Sequence, residues 1–578
     1  MRMANIAQLL TEHIDVWTAA DSEKKSGRGR ARSNAGSVYG VKKLRELILE
    51  LAVRGKLVLQ DPNDEPASEL LKRIQAEKSK LIAEGKLKKE KPLAPIGDDE
   101  NPFEMPKGWE LIRISDVAFS QAGFAFKSNL FNELGEGLPL IRIRDVGQEF
   151  TGTYYDGDYR EEFLVKNGDY LISMDGEFRV ATWKLGNSLL NQRVSRLIFF
   201  GNETSRDFVC HFLQNRLREL QGTKAYTTVD HLSGGQISNS VIGFPPLAEQ
   251  HRIVAKVDEL MALCDQLESQ HSNAAEAHEK LVSHLLGTLT QSQSSDDFSA
   301  NWQRIAAHFD TLFTTEASID ALKQTLLQLA VMGKLAPQDP NDEPASELLK
   351  RIQAEKAKLI AEGKLKKEKL LAPIAQNEKP FDLPNGWEFA RLREIATHLG
   401  DGLHGTPVYT SNGKYYFVNG NNLKDGKIVI KHETKTVDVS EYEKYKKPLS
   451  SASILVSING TLGTVGFYDS EPIILGKSAC YINLVQEKVS KYFVKILIDA
   501  PSFMEYALKN AAGTTIKNLG LKAINDLPVA LPPLSEQNRI VAKVEALMAL
   551  CDQLKTRIQQ ANQQQQEIAN VLVAQAVT

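Results

Sequence analysis

The chain has no apolar run long enough to cross a membrane and no cysteine pattern that would bind a metal. Spanning a bilayer takes about 18 consecutive apolar residues, and no segment approaches that length. Cys210, Cys264, Cys480 and Cys551 form no CxxC pair and no Cys/His cluster, as metal sites and disulfide frameworks would require. The start, MRMANIAQLLTEH, lacks the pattern of a signal peptide. We therefore expect a reduced, cytoplasmic protein without a metal site.

The sequence also lacks the motifs of enzymes that act on nucleotides or methylate DNA. It contains no GxxxxGK[ST] phosphate loop, so we expect no ATP hydrolysis. An adenine methyltransferase would need an Asn/Asp-Pro-Pro-Tyr/Phe motif, and the nearest string, NPF at 101–103, lacks the second proline. Gly460, Gly463 and Gly466 do not match GxGxxG. Their spacing fits either a tight turn or a backbone segment close to a ligand or DNA.

Positive charge is scarce for a protein that would bind DNA by itself. The net charge is −3, from 70 Lys and Arg against 73 Asp and Glu. Nonspecific DNA affinity comes from cations that neutralise phosphates. We therefore expect any DNA contact to use local patches, with help from a second protein. A Gly/Ser/Arg-rich insertion at 21–37 is a candidate for phosphate contact, although a solvated loop is the better interpretation.

What the sequence does contain is a tandem duplication. Residues 61–96 return at 339–374 with two differences, Ser79/Ala357 and Pro92/Leu370. Residues 245–267, PPLAEQHRIVAKVDELMALCDQL, return at 532–554 as PPLSEQNRIVAKVEALMALCDQL. The inserts between these repeats, 107–244 and 385–531, share their starts and then diverge. Near-identical frames with unlike inserts indicate a two-fold scaffold that presents two different surfaces.

Hydrophobic periodicity predicts helices in the frames and mixed structure in the inserts. Each frame carries amphipathic helices that end at a Gly-Lys-Leu break, and a charged helix with a Ser or Asp start signal follows. The frame helices are predicted at 6–17, 41–53, 302–313 and 319–331. In the inserts, β-branched and alternating runs predict strands at 138–146, 168–174, 196–200, 453–458 and 480–485. Insert helices are predicted at 207–220 and 491–510.

After each insert the apolar residues follow a heptad spacing, typical of a coiled-coil seam. The helices would be long, roughly 60 Å for about 40 residues. Two equivalent long helices most simply pair with one another, antiparallel because of the two-fold repeat. The alternative is that each packs on its own insert. The seam residues are Ile253, Val257, Leu260, Cys264 and Leu267, then Ile540, Val544, Leu547, Cys551 and Leu554.

These motifs resemble the specificity subunits of type I restriction–modification systems. The resemblance spans essentially the whole chain, and its most specific marks are PPLAEQHRIVAKVDELM and PPLSEQNRIVAKVEALM. The PKGWE and PNGWE segments before the inserts follow, with LIRIRDV, KNGDYLISM, DGLHGTPVY and SINGTLGTVGF inside them. It implies an α+β fold with two strand-rich recognition domains, separated by a pair of long antiparallel coiled-coil helices. The predicted boundaries are an N-terminal frame at 1–104, recognition domain 1 at 105–244, a central frame at 245–382 with a long helix at about 248–289, recognition domain 2 at 383–531, and a final helix at 532–578.

The resemblance also implies a non-catalytic reader of double-stranded DNA. Family members pair with two modification subunits, which use S-adenosylmethionine to methylate adenine, and with two restriction subunits that need ATP and Mg. Each recognition domain would read one half of an asymmetric split target. The helices would set the spacer and dock the modification subunits. This chain itself would need no cofactor.

The candidate DNA-binding residues are polar or cationic and lie at predicted strand ends and loops. Arg and Lys pair with guanine, and Asn and Gln pair with adenine. For each residue taken alone, a phosphate contact or a solvated surface is the commoner role. The candidates are Lys127, Arg142, Arg144, Arg179, Lys184, Gln192, Arg193, Lys224 and Tyr226 in the first insert, and His404, Thr406, Tyr409, Lys414, Asn419, Asn421, Asn422, Asn459, Thr461, Lys477, Thr514 and Lys517 in the second.

Two other classes of protein compete with this interpretation. A fused methyltransferase–endonuclease is opposed by the missing cofactor motifs. A non-catalytic coiled-coil scaffold without sequence readout gives no reason for two folded, divergent inserts.

Overall fold

The computed structural model describes residues 12–19, 38–87, 95–97, 103–222, 231–367 and 372–577. The chain divides into two compact units, Met1–Ala274 with Asn562–Thr578, and Ala275–Ala561. The insertion at 21–37 and the first part of the helix predicted at 6–17 lie outside the described residues. Among the described helices, none is long and apolar enough to span a bilayer.

In the first unit, frame helices precede and follow the insert in the chain and share a buried cluster with it. Helix α2 buries Leu44, Ile48 and Leu51, whose i, i+4, i+7 spacing places them on one face. It ends at Gly55, whose φ of +64° suits a residue without a Cβ atom. The helices in chain order are α1 (Ile14–Ala19), α2 (Tyr39–Val53), α3 (Ala67–Ala83), α4 (Ile114–Val117), α5 (Arg206–Gly222), α6 (Gly234–Ser238) and α7 (Leu247–Gln291).

Three sheets build the first insert. The strands pair in the orders β1-β11, β2-β10-β7-β8 and β3-β5-β4-β9-β6. Helix α5 covers the second of these sheets through a cluster that includes Phe208, Leu213 and Leu217. The strands are β1 (Glu110–Arg113), β2 (Ala118–Ala122), β3 (Phe131–Asn132), β4 (Leu138–Ile141), β5 (Tyr154–Tyr155), β6 (Leu164–Val165), β7 (Tyr170–Ser173), β8 (Val180–Thr182), β9 (Ser188–Leu190), β10 (Val194–Phe199) and β11 (Val241–Phe244).

The second unit repeats this order of frame and insert. Its strands pair as β12-β22, β13-β21-β18-β19, β17-β14-β20 and β15-β16. The helices are α8 (Ser295–Ala307), α9 (Phe309–Leu312), α10 (Glu316–Val331), α11 (Ala345–Ala361), α12 (Val439–Tyr445), α13 (Lys491–Asp499), α14 (Pro501–Asn510), α15 (Leu521–Asp526) and α16 (Leu534–Val577). The strands are β12 (Glu388–Arg391), β13 (Ala396–Asp401), β14 (Tyr415–Val418), β15 (Leu423–Lys424), β16 (Lys427–Ile428), β17 (Thr436–Val437), β18 (Ser453–Ser457), β19 (Val465–Phe467), β20 (Ile473–Leu475), β21 (Ala479–Leu484) and β22 (Pro528–Leu531).

The two long helices, α7 and α16, are divided between the units. The first unit holds residues 247–274 of α7 with 562–577 of α16. The second holds residues 534–561 of α16 with 275–291 of α7. Each unit therefore contains the start of one long helix and the end of the other. The predicted α+β fold, with strand-rich domains and two long antiparallel helices, is confirmed.

In each unit the seam of the long helix also packs on a frame helix. Leu260 and Cys264 of α7 share a buried cluster with the apolar face of α2. Ion pairs flank this contact, with Arg45 Nη2 2.8 Å from Asp265 Oδ1 and 2.9 Å from Glu268 Oε2. Of the other seam residues, most are buried and two are partly buried. The buried ones are Ile253, Val257, Leu267, Ile540, Val544 and Cys551, and the partly buried ones are Leu547 and Leu554.

The structure corrects three local predictions. The helix predicted at 302–313 is divided into α8 and α9, and the one predicted at 491–510 is divided into α13 and α14. The second break lies at Pro501, which starts α14 because proline lacks the N–H that a continuous helix would use. No Ser or Asp side chain caps α3 or α11, which begin directly after Pro66 and Pro344. The Asp61 carboxylate instead accepts the Asn63 backbone N–H at 2.9 Å, which stabilises the preceding turn.

Candidate DNA interface

A two-stranded antiparallel sheet closes the base of each insert. In the first unit β1 pairs with β11, so that Glu110 lies opposite Phe244. In the second, β12 pairs with β22, and Glu388 lies opposite Leu531. Each insert therefore leaves the frame and rejoins it at one place, immediately before a long helix.

In each unit, a buried Trp–Glu hydrogen bond connects the start of the insert to the long helix that follows it. The indole Nε1–H of Trp109 donates to Glu249 Oε2 at 3.0 Å, and that of Trp387 donates to Glu536 Oε2 at 2.9 Å. Burial raises the pKa of both carboxyls above the ordinary glutamate value, against the opposing effect of the tryptophan hydrogen bond. The folded protein therefore binds these protons more tightly than the unfolded chain, and stability is lost as pH rises through the folded pKa.

We expect Glu249→Gln to remove this pH-dependent loss. The amide oxygen still accepts the Trp109 N–H, while no buried charge forms at neutral pH. The melting temperature of the variant, relative to the original chain, should therefore rise as the pH increases from about 4.3, the ordinary glutamate pKa, towards neutrality. Thermal unfolding across this range is the measurement, and Glu279→Gln, an exposed position on the same helix, is the control. Parallel curves for the Glu249→Gln variant and the original chain would contradict the assignment.

Strand registers show that the inserts share one arrangement despite their different sequences. β4 and β9 are parallel and place Ile141 opposite Leu190, while β14 and β20 place Val418 opposite Leu475. β7 pairs with β10, and β18 pairs with β21, in matching antiparallel registers. Because parallel strands end at the same edge, the residues that follow β4 and β9 emerge side by side, as do those after β14 and β20.

We call the residues beyond these strand ends the first and second strand-end clusters. Their positions correspond one to one through the strand registers and through two matching bridges, Asp175 with His231 and Asn459 with Asn518. The first cluster comprises Arg142, Arg144, Asp175, Gln192, Arg193 and His231. The second comprises, at the same positions in the same order, Asn419, Asn421, Asn459, Lys477, Ser478 and Asn518.

The first strand-end cluster is organised around a buried carboxylate. Asp175 is 7% exposed, and its Oδ2 lies 2.9 Å from Arg193 Nη1. Its Oδ1 lies 2.7 Å from His231 Nδ1. Nearby, the Arg144 Nε–H donates to Thr151 Oγ1 at 2.9 Å. The cluster therefore presents cations held in place by hydrogen bonds.

The second strand-end cluster lines a shallow cleft with amide and hydroxyl groups. Asn419, Asn421, Asn459, Thr461 and Ser478 form its walls. The Ser478 hydroxyl donates to Asn419 Oδ1 at 3.1 Å. Four of the predicted candidates, the three asparagines and Thr461, are thus brought together. Their donors and acceptors suit base edges such as that of adenine.

Gly460 and Gly463 lie in the turn between β18 and β19, and Gly466 lies within β19. Gly460 and Gly463 have φ values of +78° and +80°, which suit a tight turn. Gly460 also lines the cleft of the second cluster. The turn therefore brings the chain close to the groups that would face DNA.

The side chain of Asn422, another predicted candidate, makes hydrogen bonds within the fold. Its side chain is buried, and its Nδ2 donates to the carbonyl of Val429 at 3.0 Å. Its Oδ1 accepts the backbone N–H of Asn419 at 3.0 Å. The equivalent Asp145 accepts the backbone N–H of Arg142 at 2.7 Å. In both domains this residue holds the short 3₁₀ turn that carries the cluster, so its polar atoms are committed to the fold.

Substitutions at Asn422 and at its neighbour Asn421 distinguish a side chain that the fold requires from an exposed one. Asn422→Ala removes the partners of the Asn419 N–H and the Val429 carbonyl, both in partly buried residues, which costs roughly 1–3 kcal/mol of unfolding free energy. Asn421 is exposed, so Asn421→Ala should change the stability by less than about 0.5 kcal/mol. Denaturant unfolding of the two variants is the measurement. Equal stabilities would show that the amide of Asn422 is not required by the fold.

The remaining candidates lie on the surface or at the margins of the clusters. Arg179 and His404 are paired with Glu177 and Asp401. The backbone carbonyl of Lys517 accepts the Gly460 N–H at 2.9 Å, beside the second cluster. Those with exposed side chains are Lys127, Lys184, Thr406, Tyr409, Lys414 and Thr514. Lys224 and Tyr226 lie outside the described residues. All of these stay predictions.

Four cluster residues were missed from the sequence: Asp175, His231, Ser478 and Asn518. Each enters its cluster through a pairing with a distant residue, such as the bridge from Asp175 to His231. One signal was present in the sequence, because Asp175 and Asn459 each stand directly after a predicted strand, 168–174 or 453–458, and directly before a glycine. In the described part of the chain, no group of three His, Cys, Asp or Glu residues is arranged to hold a metal ion.

The comparison with protein families decides the classification. Residues 106–277 and 384–563 match the family model described as type I restriction modification DNA specificity domain. The two matches together span more than half of the chain. The chain belongs to this family. The family indicated by the sequence motifs is therefore confirmed.

Individual members of the specificity family align over the whole chain. The type I restriction enzyme EcoEI specificity subunit of Escherichia coli is 38% identical over 614 aligned residues, covering 99% of this chain and 100% of that protein. The EcoAI specificity subunit of Escherichia coli is 39% identical over 621 residues, with the same coverage. A solved HsdS subunit from Thermoanaerobacter tengcongensis is 16% identical, with a TM-score of 0.37 and coverage of 82% and 98%.

Proposed function

We propose that this specificity subunit reads an asymmetric, bipartite double-stranded DNA target. Residues 105–244 would read one half-site and residues 383–531 the other. The observation that supports this is the pair of strand-end clusters, which occupy equivalent positions but carry different side chains. Cationic side chains favour guanine and amides favour adenine. Two readers of one architecture and unlike chemistry suit a target whose halves differ.

The repeated frame supports docking of a symmetric pair of partners. The frame segments 1–104, 245–382 and 532–578 would present equivalent surfaces to two modification subunits. Their internal ion pairs repeat, with Arg252 Nη2 2.6 Å from Asp64 Oδ2 and Arg539 Nη2 2.6 Å from Asp342 Oδ2. The modification subunits would use S-adenosylmethionine to methylate adenine. Two restriction subunits, dependent on ATP and Mg, would complete the complex.

A partner would also supply phosphate contacts. The net charge of −3 gives little nonspecific attraction to DNA. Binding to DNA should therefore be weak for the chain alone and strong for its complex with the modification subunits. The steep salt dependence expected of phosphate contacts should belong to the complex.

A sequence-dependent gel shift with the modification subunits present tests the proposal. The complex should select one bipartite duplex from a random pool, and mapping of modified adenines should give the same target. A coiled-coil connector without readout predicts no selection. The chain alone should show no methyl transfer, ATP hydrolysis or DNA cleavage. Turnover that copurifies with this chain alone would instead favour a fused enzyme.

Spacing between the half-sites should follow the length of the long helices. The helices can be lengthened where the chain divides into its two units, between 274 and 275 in α7 and between 561 and 562 in α16. Four residues added at both places extend each helix by about 6 Å. Because four residues make nearly one helical turn, the residues after the insertion keep nearly the same orientation around the helix axis. We expect a spacer longer by about two base pairs, at ~3.4 Å each, with both half-sites unchanged.

Mapping of modified adenines measures this spacer. Four residues inserted after Gly363, in the turn that ends α11, serve as the control because they leave the long helices unchanged. An unchanged spacer in the lengthened variant, or an altered base preference, would refute the role of the helices as spacers.

A further inference from the structure

The first strand-end cluster contains an arginine, Arg193, that is paired with a buried carboxylate, and the second cluster contains no such pair. Asp175 is almost fully buried, whereas Arg193 is 61% exposed and His231 is 63% exposed at their side chains. A buried carboxylate is costly unless hydrogen bonds satisfy it. Here its two oxygens are satisfied by one cationic side chain and one imidazole, both of which reach the surface.

This arrangement fixes the direction of the Arg193 guanidinium. Nη1 is tied to Asp175 Oδ2 at 2.9 Å, while His231 engages the other carboxylate oxygen. The backbone adds a second constraint, because the Arg193 carbonyl accepts the N–H of Met174 at 3.0 Å. An arginine has five N–H donors, so the contact with Asp175 leaves others available. The exposed part of the side chain is thus pre-organised rather than free to sample many rotamers.

We propose that Arg193, held by Asp175, reads a guanine in the first half-site. The proposal rests on the proposed function and names the base and the residue. Guanine presents two acceptors, O6 and N7, to the major groove, and a guanidinium fork matches both. Asp175 is a positioning residue, because it acts through Arg193. His231 holds the carboxylate on its other side.

The second domain carries a different reader at the same positions. Asn459, Ser478 and Asn518 replace the carboxylate, the arginine and the histidine. No arginine takes part in the second strand-end cluster. The guanine requirement at this position therefore belongs to the first half-site alone.

The experiment uses the full chain in complex with its modification subunits. The mapped target of the original complex must contain a guanine in the half-site read by residues 105–244. Arg193→Gln should lower the preference for guanine at one position by roughly 5- to 150-fold. The other bases of that half-site and the whole second half-site should keep their preferences. Binding to a duplex library randomised one position at a time is the measurement.

Asp175→Asn tests the positioning role. It places at 175 the residue found at the equivalent position 459, so the fold tolerates the shape. The guanine preference should fall at the same position as in Arg193→Gln. The double variant should be no worse than Arg193→Gln alone, because the two residues act as one unit. Arg206→Gln, an exposed arginine beside Phe199 at the opposite end of β10, is the matched control and should change nothing.

The outcomes separate this inference from the proposed function. A half-site without guanine, or a uniform loss of affinity for all sequences in Arg193→Gln, overturns the inference, since uniform loss indicates a phosphate contact. Additive effects of the two substitutions overturn the positioning role of Asp175. If the original complex selects no sequence at all, the proposed function fails, and the inference fails with it.

Discussion

Replacing Lys107–Phe244 with the insert of a relative that reads another target should rewrite one half of the recognised sequence. The other half and the spacer should stay as they are. The exchange is feasible because β1 and β11 pair at the base of the insert. Graft points from Pro102 to Trp109 and at Pro245–Pro246 keep Glu249 in the frame, so a relative with tryptophan at the position of Trp109 restores the hydrogen bond to it. Modified-adenine mapping reads the result directly.

The contacts between this insert and its frame help the graft to fold. Lys78 Nζ on α3 donates to the backbone carbonyl of Ser115 at 2.7 Å. Since the acceptor belongs to the backbone, a foreign insert of the same fold supplies it whatever its sequence. The reciprocal exchange of 385–531 is the control, and it should alter the opposite half-site. A graft that changes both half-sites would show that the domains do not read independently.

Leu260→Asp should abolish folding of the first unit or its assembly with the modification subunits. Leu260 is 3% exposed and belongs to the cluster that joins α7 to α2. An unpaired charge at a buried site costs several kcal/mol, against a typical domain stability of about 5–15 kcal/mol. Thermal melting and copurification with the modification subunits are the measurements.

The same helix offers a matched control for this substitution. Leu263 is 38% exposed, so Leu263→Asp adds the same charge to the same helix with little burial. Its melting temperature and its assembly should stay close to those of the original chain. If both variants melt and assemble alike, the burial of the seam does not stabilise the fold.

The sequence predicted the elements whose signal is local and periodic. The limits of the long helices α7 and α16 lie within two residues of the predicted ones, because the heptad pattern and the Pro-Pro start are local sequence signals. The glycine breaks at Gly55 and Gly333 were likewise predicted and have positive φ. The packing of the seams on α2 and α10 was not foreseen, since periodicity reveals a buried face but not which helix covers it.

The candidate interface was predictable only in part, for a related reason. Strand ends rich in Arg or Asn indicated Arg142, Arg193, Asn419 and Asn459, yet the sequence could not tell which polar residues the fold itself uses. Asn422 has the same amide as its neighbour and differs only in burial. Its role depends on the turn that places it beside Val429, and turns bring residues together in ways that composition does not encode.

The division of the long helices also sets an order of assembly during synthesis. Residues 275–561 are continuous in the chain, so the second unit has all its parts once they have been made. The first unit needs residues 562–577, which place Ala569 and Leu572 against its core. At about 5–20 residues per second, they emerge roughly 15–60 s after residue 274. The half of the protein that begins first on the ribosome is thus the last to be completed.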